Sequence, residues 1–371
     1  MKSFDLPTQN LPEVVAWSPD EKSIAVAAHD YGVVNAADNK LLLANPQHDQ
    51  LQFKRLLWSS NGKELGILLY RRKLLPDRTE TDGSSELWRV SADGKTQRRV
   101  STDVLSFGWG PELIYIKAVT GTANRQVTFL AVDDPEAAVY PVEHNEWSGQ
   151  DPILWPEIGC YPTALSADVK CLLGRFPDDP TFLNSGVMRV CRIDVGQRKI
   201  LWQRDVSVGD TASSLSDSTP GVTSGYYNYD RIEWSEPQKT AAISLGYGTD
   251  AGGPRSLVLV SSGQAFEVKA SDGEIYLISD PQWAVHFVTY AEIFMEKKAS
   301  TMQHVTAITA FDPKRHQRRV LTRKISNLWI EDFPLAISRK GRLCYVQPAP
   351  STPGADSSRN RKWLLKVIAL Q

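Results

Sequence analysis

One module recurs along this chain and limits its fold more than any other feature. It is an apolar strand ending in tryptophan or an aliphatic residue, then Ser, a polar turn, Lys and a second apolar strand. It reads Val14-Val15-Ala16-Trp17-Ser18-Pro19-Asp20-Glu21-Lys22-Ser23-Ile24-Ala25-Val26 first, and Leu56-Leu57-Trp58-Ser59-Ser60-Asn61-Gly62-Lys63-Glu64-Leu65-Gly66-Ile67 second. Weaker copies run over 164–172, 232–241 and 336–343. Helical periodicity is almost absent: the apolar runs are short, rich in Val, Ile, Leu, Trp and Tyr, and cut by Gly, Pro, Asn and Asp, which is an all-β pattern.

A second element follows some copies of the first. Glu86-Leu87-Trp88-Arg89-Val90-Ser91-Ala92-Asp93-Gly94-Lys95 runs on to Arg98-Arg99-Val100, and 188–200 and 307–322 are its relatives. Each reads as strand, tight turn and strand. Two hairpins per repeat make a four-stranded antiparallel blade, so the expectation is a β-propeller formed by residues 1–371 as a single domain. Anchors near Trp17, Trp58, Phe107 to Trp109, Leu165, Trp234, Trp283 and Ile337 predict seven blades. Sharing 371 residues among seven blades leaves roughly 53 each, more than a compact blade needs. Long loops are therefore expected at Arg71 to Ser85, Glu143 to Tyr161, Ser207 to Tyr229 and Gln347 to Arg361. A ring must hide its open edges, so Ser3 to Leu6 is expected to join the final strand, Lys362 to Leu370, as the last blade's outermost strand.

The Trp-Ser-Pro-Asp turn followed by Lys and a strand, with the later Asp-Gly turn and Arg-Arg-Val, resembles the TolB-type propeller repeat. That repeat is also found in the propeller domains of prolyl-oligopeptidase-like enzymes. The resemblance covers most of the chain and implies the propeller fold.

Composition narrows the function classes. Hydrophobic residues make up 42% of the chain, enough to bury a core and exclude whole-chain disorder. Lys plus Arg (42) nearly cancels Asp plus Glu (43), so no global field draws the chain to nucleic acid or to an anionic membrane, and neither nucleic-acid binding nor membrane insertion is expected. Residues Met1 to Leu11 are polar and broken by Pro7, without the apolar run that a secretory signal or spanning helix needs, and a cytoplasmic protein is expected. Cys160, Cys171, Cys191 and Cys344 show no CxxC pairing, and three of them sit in or beside apolar runs that predict buried thiols.

Catalytic motifs are missing. A hydrolase of the oligopeptidase kind needs Gly-x-Ser-x-Gly, whereas Gly221-Val-Thr-Ser-Gly225 is offset by one, and the blades leave no room for a catalytic domain. His29, His48, His144, His286, His304 and His316 are scattered without metal-ligand spacing, and no phosphate-cradling loop appears. Neither metal nor cofactor is expected. Carboxylates cluster at Asp133-Asp134-Pro135-Glu136, Asp178-Asp179 and Glu331-Asp332. A propeller glycosidase would need such acids to converge, but turn chemistry accounts for the first two.

Gln97-Arg98-Arg99 and Gln317-Arg318-Arg319 occupy the same phase of their repeats and read as solvated edge-strand arginines that block edge-to-edge pairing. The aromatic residues carry the functional expectation. Trp147 and Trp155 lie in a proline-containing loop, and the Ser/Thr-rich stretch from Ser207 runs into Tyr226, Tyr227, Asn228 and Tyr229. Tyr and Trp are enriched at binding hot spots. The chain is therefore expected to be a non-catalytic interaction scaffold whose protein partner docks on Trp147, Trp155, Tyr226, Tyr227 and Tyr229. The alternative is an enzyme or glycan binder using a central channel.

Overall fold

The computed structural model describes residues 2–8, 10–44, 51–74, 80–109, 113–119, 126–131, 163–165, 170–175, 187–194, 199–207, 226–248, 255–268, 275–284, 286–298, 301–325, 334–349 and 362–369. The fold is all-β, with four-stranded antiparallel blades in a propeller arrangement. The described strands form six four-stranded sheets and one three-stranded sheet.

The chain divides into two compact units. The first comprises Met1–Ala118, Phe129–Ala138 and Phe333–Gln371. It opens with β1 (Lys2–Leu6), followed by the sheet of β2 (Pro12–Trp17), β3 (Ile24–Ala28), β4 (Gly32–Asn35) and β5 (Lys40–Ala44). The next sheet holds β6 (Leu51–Trp58), β7 (Glu64–Leu74), β8 (Glu80–Ser91) and β9 (Gln97–Thr102). Then come β10 (Val104–Trp109), β11 (Leu113–Val119) and β12 (Gln126–Ala131).

The second unit comprises Val119–Thr128 and Val139–Asp332, and carries three full sheets. They are β13 (Thr163–Leu165) with β14 (Lys170–Arg175), β15 (Val187–Asp194) and β16 (Lys199–Ser207); β17 (Tyr226–Ser235) with β18 (Thr240–Gly248), β19 (Arg255–Ser261) and β20 (Ala265–Val268); and β21 (Ile275–Trp283) with β22 (Val288–Lys298), β23 (Thr301–Asp312) and β24 (Gln317–Ile325). The chain returns to the first unit as β25 (Leu335–Ile337), β26 (Arg342–Pro348) and β27 (Trp363–Ala369). There β1 lies antiparallel to β27, from Lys2 opposite Val367 to Leu6 opposite Trp363. The last sheet thus takes its outer strand from the beginning of the chain.

The core sits between successive sheets. Val14, Ala16, Ala25, Ala27 and Val33 of the first meet Phe53, Leu56, Trp58, Ile67 and Leu69 of the second. Phe107, Leu113 and Tyr115 continue the stack from Leu68 and Leu87, and Tyr290 with Phe311 packs on Leu257 and Leu259 in the second unit. Strands packed on both faces read as unbroken apolar runs: every residue of β3 and β4 is buried, whereas β27 alternates. Each fully buried Leu, Ile, Val or Phe contributes about 1.5–3 kcal/mol.

The serine of the repeated module builds its turn. Ser18 Oγ accepts a bond from Ser23 N (2.9 Å) and donates to Asp20 Oδ1 (2.7 Å), while Asp20 takes the amide of Lys22 (3.1 Å). Ser59 with Asn61, and Ser91 with Asp93, repeat the pattern. The residue three after the serine bonds back to the serine carbonyl and adopts positive φ, which suits Gly62, Gly94 and Gly341. In the first copy that residue is Glu21, at φ 60°.

The tryptophans bind one sheet to the next. Trp58 Nε1 donates to Ala16 O (3.2 Å), Trp109 Nε1 to Leu57 O (2.7 Å), Trp17 Nε1 to Ala336 O (3.3 Å) and Trp283 Nε1 to Glu233 O (3.0 Å). In every case the acceptor is the residue just before the preceding sheet's own anchor. Trp17, Trp58, Trp109, Trp234 and Trp283 share one ladder position, opposite Ile24, Leu65, Leu113, Ala241 and Val288.

One expectation fails outright. Residues 71–74 and 80–85, read as loop, instead extend the β7–β8 hairpin, with Arg71 opposite Ser84 and Leu74 opposite Glu80, while 75–79 lie outside the described residues. Gly83 and the charges beside it mask a ladder whose partners are its own neighbours.

Candidate functional site

Tyr226, Tyr227 and Tyr229 lie in β17 rather than in a loop, which corrects the reading of Ser207 to Tyr229 as one connecting segment. Ser207 ends β16, and the ladder of the next sheet already runs at Tyr226. Tyr226 is opposite Gly248, Tyr227 opposite Tyr247, Asn228 opposite Gly246 and Tyr229 opposite Leu245, with a bulge between Tyr229 and Arg231. Two glycines opposite Tyr226 and Asn228 hid the strand, because glycine is depleted from ladders. Trp147 and Trp155 fall outside the described residues, as do the carboxylate clusters at Asp133 to Glu136, Asp178-Asp179 and Glu331-Asp332, and the segment Gly221 to Gly225.

The far end of β17 is fastened on both sides. The guanidinium of Arg192 in β15 sits 3.8 Å from the centre of the Trp234 ring, and its Nη2 lies 3.3 Å from Glu236 Oε2. That carboxylate also accepts Trp234 Nε1 at 2.6 Å. On the other side the Glu233 carbonyl receives Trp283. Sequence reading missed Arg192 and Glu236. The sole available signal was a tryptophan followed two residues later by an acid.

Topology separates two ends of every sheet. The first-to-second and third-to-fourth strand turns are at one end, held among the described residues by Ser18, Ser59, Ser91, Ser235 and Ser338. The second-to-third links, and the links from one sheet to the next, are at the other. The tyrosines open β17 at the link end, where β16 hands over to it and where β18 hands over to β19 after Gly248.

Buried acids among the described residues are Glu21, Glu86 and Glu292, and each is held by arginine. Glu86 accepts Arg71 Nε and Trp88 Nε1, both at 2.8 Å, and has Arg99 3.6 Å away. Burial pushes its pKa up, but Arg71 and Trp88 outweigh that and hold it below the usual carboxylate range. Glu292 accepts Arg318 Nε at 3.0 Å and is also bonded by Nη2. Arg318 is therefore an inward-turned ion-pair partner, with its side chain 21% exposed, and not the solvated edge residue expected. Its carboxylate lies on β22, two strands away, so the spacing along β24 gave no hint of it.

Among the described residues His29 Nδ1 lies 3.7 Å from Glu13, and His316 packs its ring 5.3 Å from that of Phe266. Among the described residues no three His, Cys, Asp or Glu are grouped to hold a metal ion, and no helix is long and apolar enough to cross a membrane. Cys344 is buried and free, and burial pushes its thiol pKa up.

No family model and no curated protein matches the chain. Among solved structures it is similar to the acylaminoacyl peptidase of Pyrococcus horikoshii at 12% identity and TM-score 0.47, covering 92% of this chain and 51% of that one. It is similar to prolyl oligopeptidase B from Galerina marginata at 11% and 0.39, covering 93% and 53%. A putative TolB from Agrobacterium tumefaciens gives 10% and 0.35, covering 87% and 88%. The chain spans about half the length of the peptidases it matches.

Proposed function

We propose that this chain is a non-catalytic protein-interaction scaffold, acting in the cytoplasm, whose partner docks on Tyr226, Tyr227 and Tyr229 together with Trp147 and Trp155. The observation that carries the reading is the fastening of β17: Arg192 and Glu236 grip Trp234 on one side and Trp283 grips Glu233 on the other. A strand so held presents its opposite end with little ordering left to lose on binding, and pre-organisation raises affinity. The pairing of buried acids with arginines supports the non-catalytic half, because an acid tied to a guanidinium is a poor proton donor.

The test begins with capture of a partner from native lysate on the immobilised full chain. Tyr227→Ala combined with Trp155→Ala then weakens binding about thirtyfold or more with the thermal midpoint unchanged. Arg98→Ala with Arg319→Ala, at exposed edge positions, weakens it only slightly and chiefly at low salt. The reverse ranking overturns the tyrosine site, and equal insensitivity to both pairs favours the small-ligand alternative.

A further inference from the structure

Four serine turns of the first unit form one continuous surface. Lys340 N donates to Glu21 Oε1 at 2.7 Å and Arg342 Nη2 to Glu21 O at 2.9 Å, which joins the β25–β26 turn to the β2–β3 turn. A Cβ on Gly62 would stand 3.6 Å from Pro19 Cδ, so the β6–β7 turn abuts the β2–β3 turn. Ala92 N donates to Lys63 O at 2.8 Å, bringing in the β8–β9 turn. Gln97 Nε2 reaches Leu42 O at 2.8 Å, which adds the outer strand β5.

This surface is basic. Lys22, Lys40, Lys63, Lys95, Arg339 and Lys340 are all exposed on it. The carboxylates among them are exposed Asp20, Asp38 and Asp93, each accepting a backbone amide, while Glu21 and Glu64 are taken by Arg342 and Arg89. Cations therefore outnumber exposed acids, on a backbone fixed by the Ser-Asx bonds. The whole chain carries a net charge of −1, so this excess is local and is balanced elsewhere.

We propose that these joined turns are a docking surface for an acidic protein segment, independent of the tyrosine site. The three interleaved aspartates select the partner. A nucleic-acid backbone places phosphates at even spacing and would meet Asp20 and Asp93 along with the lysines. A peptide with separate carboxylates can address the lysines and pass the aspartates by, and such pairing steers encounter and fixes register.

A fluorescein-labelled peptide whose single glutamates are separated by Gly-Ser spacers, titrated with the full chain at low salt and followed by anisotropy, tests this. Binding is expected, lost at about 0.5 M salt and weakened about tenfold or more in the triple variant Lys22→Glu, Lys63→Glu, Lys340→Glu. The neutral variant Lys22→Gln, Lys63→Gln, Lys340→Gln loses affinity to a smaller but measurable degree with the thermal midpoint retained. No binding by the parent chain, or unchanged affinity in both triple variants, overturns the proposal. An equal loss in Lys362→Glu, which is exposed at the link end of the last sheet, overturns the location. Tighter binding of oligothymidylate than of the peptide overturns the partner class.

Discussion

Glu21 shows what one side chain can require of its backbone. It is buried, holds φ at 60°, where a Cβ costs about 1 kcal/mol, and spends that strain on reaching Lys340 N and Arg342. Arg342 in turn lies 4.9 Å from the centre of the Trp17 ring. Glu21→Ala should cost about 2 kcal/mol in urea unfolding, at the lower end for a charged hydrogen bond because the Arg342 side chain is 37% exposed. Glu21→Gly loses the same contacts but also the strain, and should be about 1 kcal/mol milder. Burial raises the Glu21 pKa, but the Lys340 amide and Arg342 more than offset this and hold it below its ordinary 4.5. A depressed folded value means the stabilisation is full above about 4.5 and is lost as pH falls through the lower folded value. Glu21→Gln should flatten that acid limb, and an unaltered limb would assign it to other carboxylates. Thr309 gives the opposite case: its Oγ1 is buried without a hydrogen-bond partner, opposite Tyr290 in the ladder. Thr309→Val should raise stability by about 1 kcal/mol, since an unsatisfied hydroxyl is removed and the β-branch stays.

Between elements, one close contact that a larger residue would strain is Gly66 against Phe107. A Cβ there would run into the ring of Phe107, a fully buried side chain of β10 packed against β7. Gly66→Ala should destabilise by about 2–3 kcal/mol through overpacking, and Gly66→Ala with Phe107→Leu should recover part of it. A double variant no better than the single would show that the strain lies in the backbone of β7. This scale also explains how far the sequence could be read. The serine turns were legible because Ser-x-Asx supplies a fixed local bond set, and the tryptophan anchors because they recur in phase. Hairpins over 86–102, 188–200 and 307–322 were legible for the same reason. Glu21 was not, because its reward lies 319 residues away. Arg318 was not, because an arginine on an edge strand looks the same whether it faces water or a carboxylate two strands inward. The tyrosines were read as a loop because the glycines opposite them carry no strand signal of their own.

For the whole molecule, the pairing of β1 with β27 has the widest effect. Deleting residues 1–10 removes the ladder from Lys2 to Leu6 and the Thr8 hydroxyl bond to Asp30, and bares the edge of β27. The midpoint of thermal unfolding should fall by about 3–6 °C, with increased aggregation on heating. An unchanged midpoint and a monodisperse sample would show that β1 is dispensable. The same pairing sets a clock on synthesis. At about 5–20 residues per second, the ribosome takes roughly 20–70 s between making Leu6 and making Trp363. Throughout that time β1 has no partner in existence, although the sheets after it can assemble in order. The ladder between β1 and β27 can therefore form only after every strand between them has been made, so the strand made first is the last to find its partner.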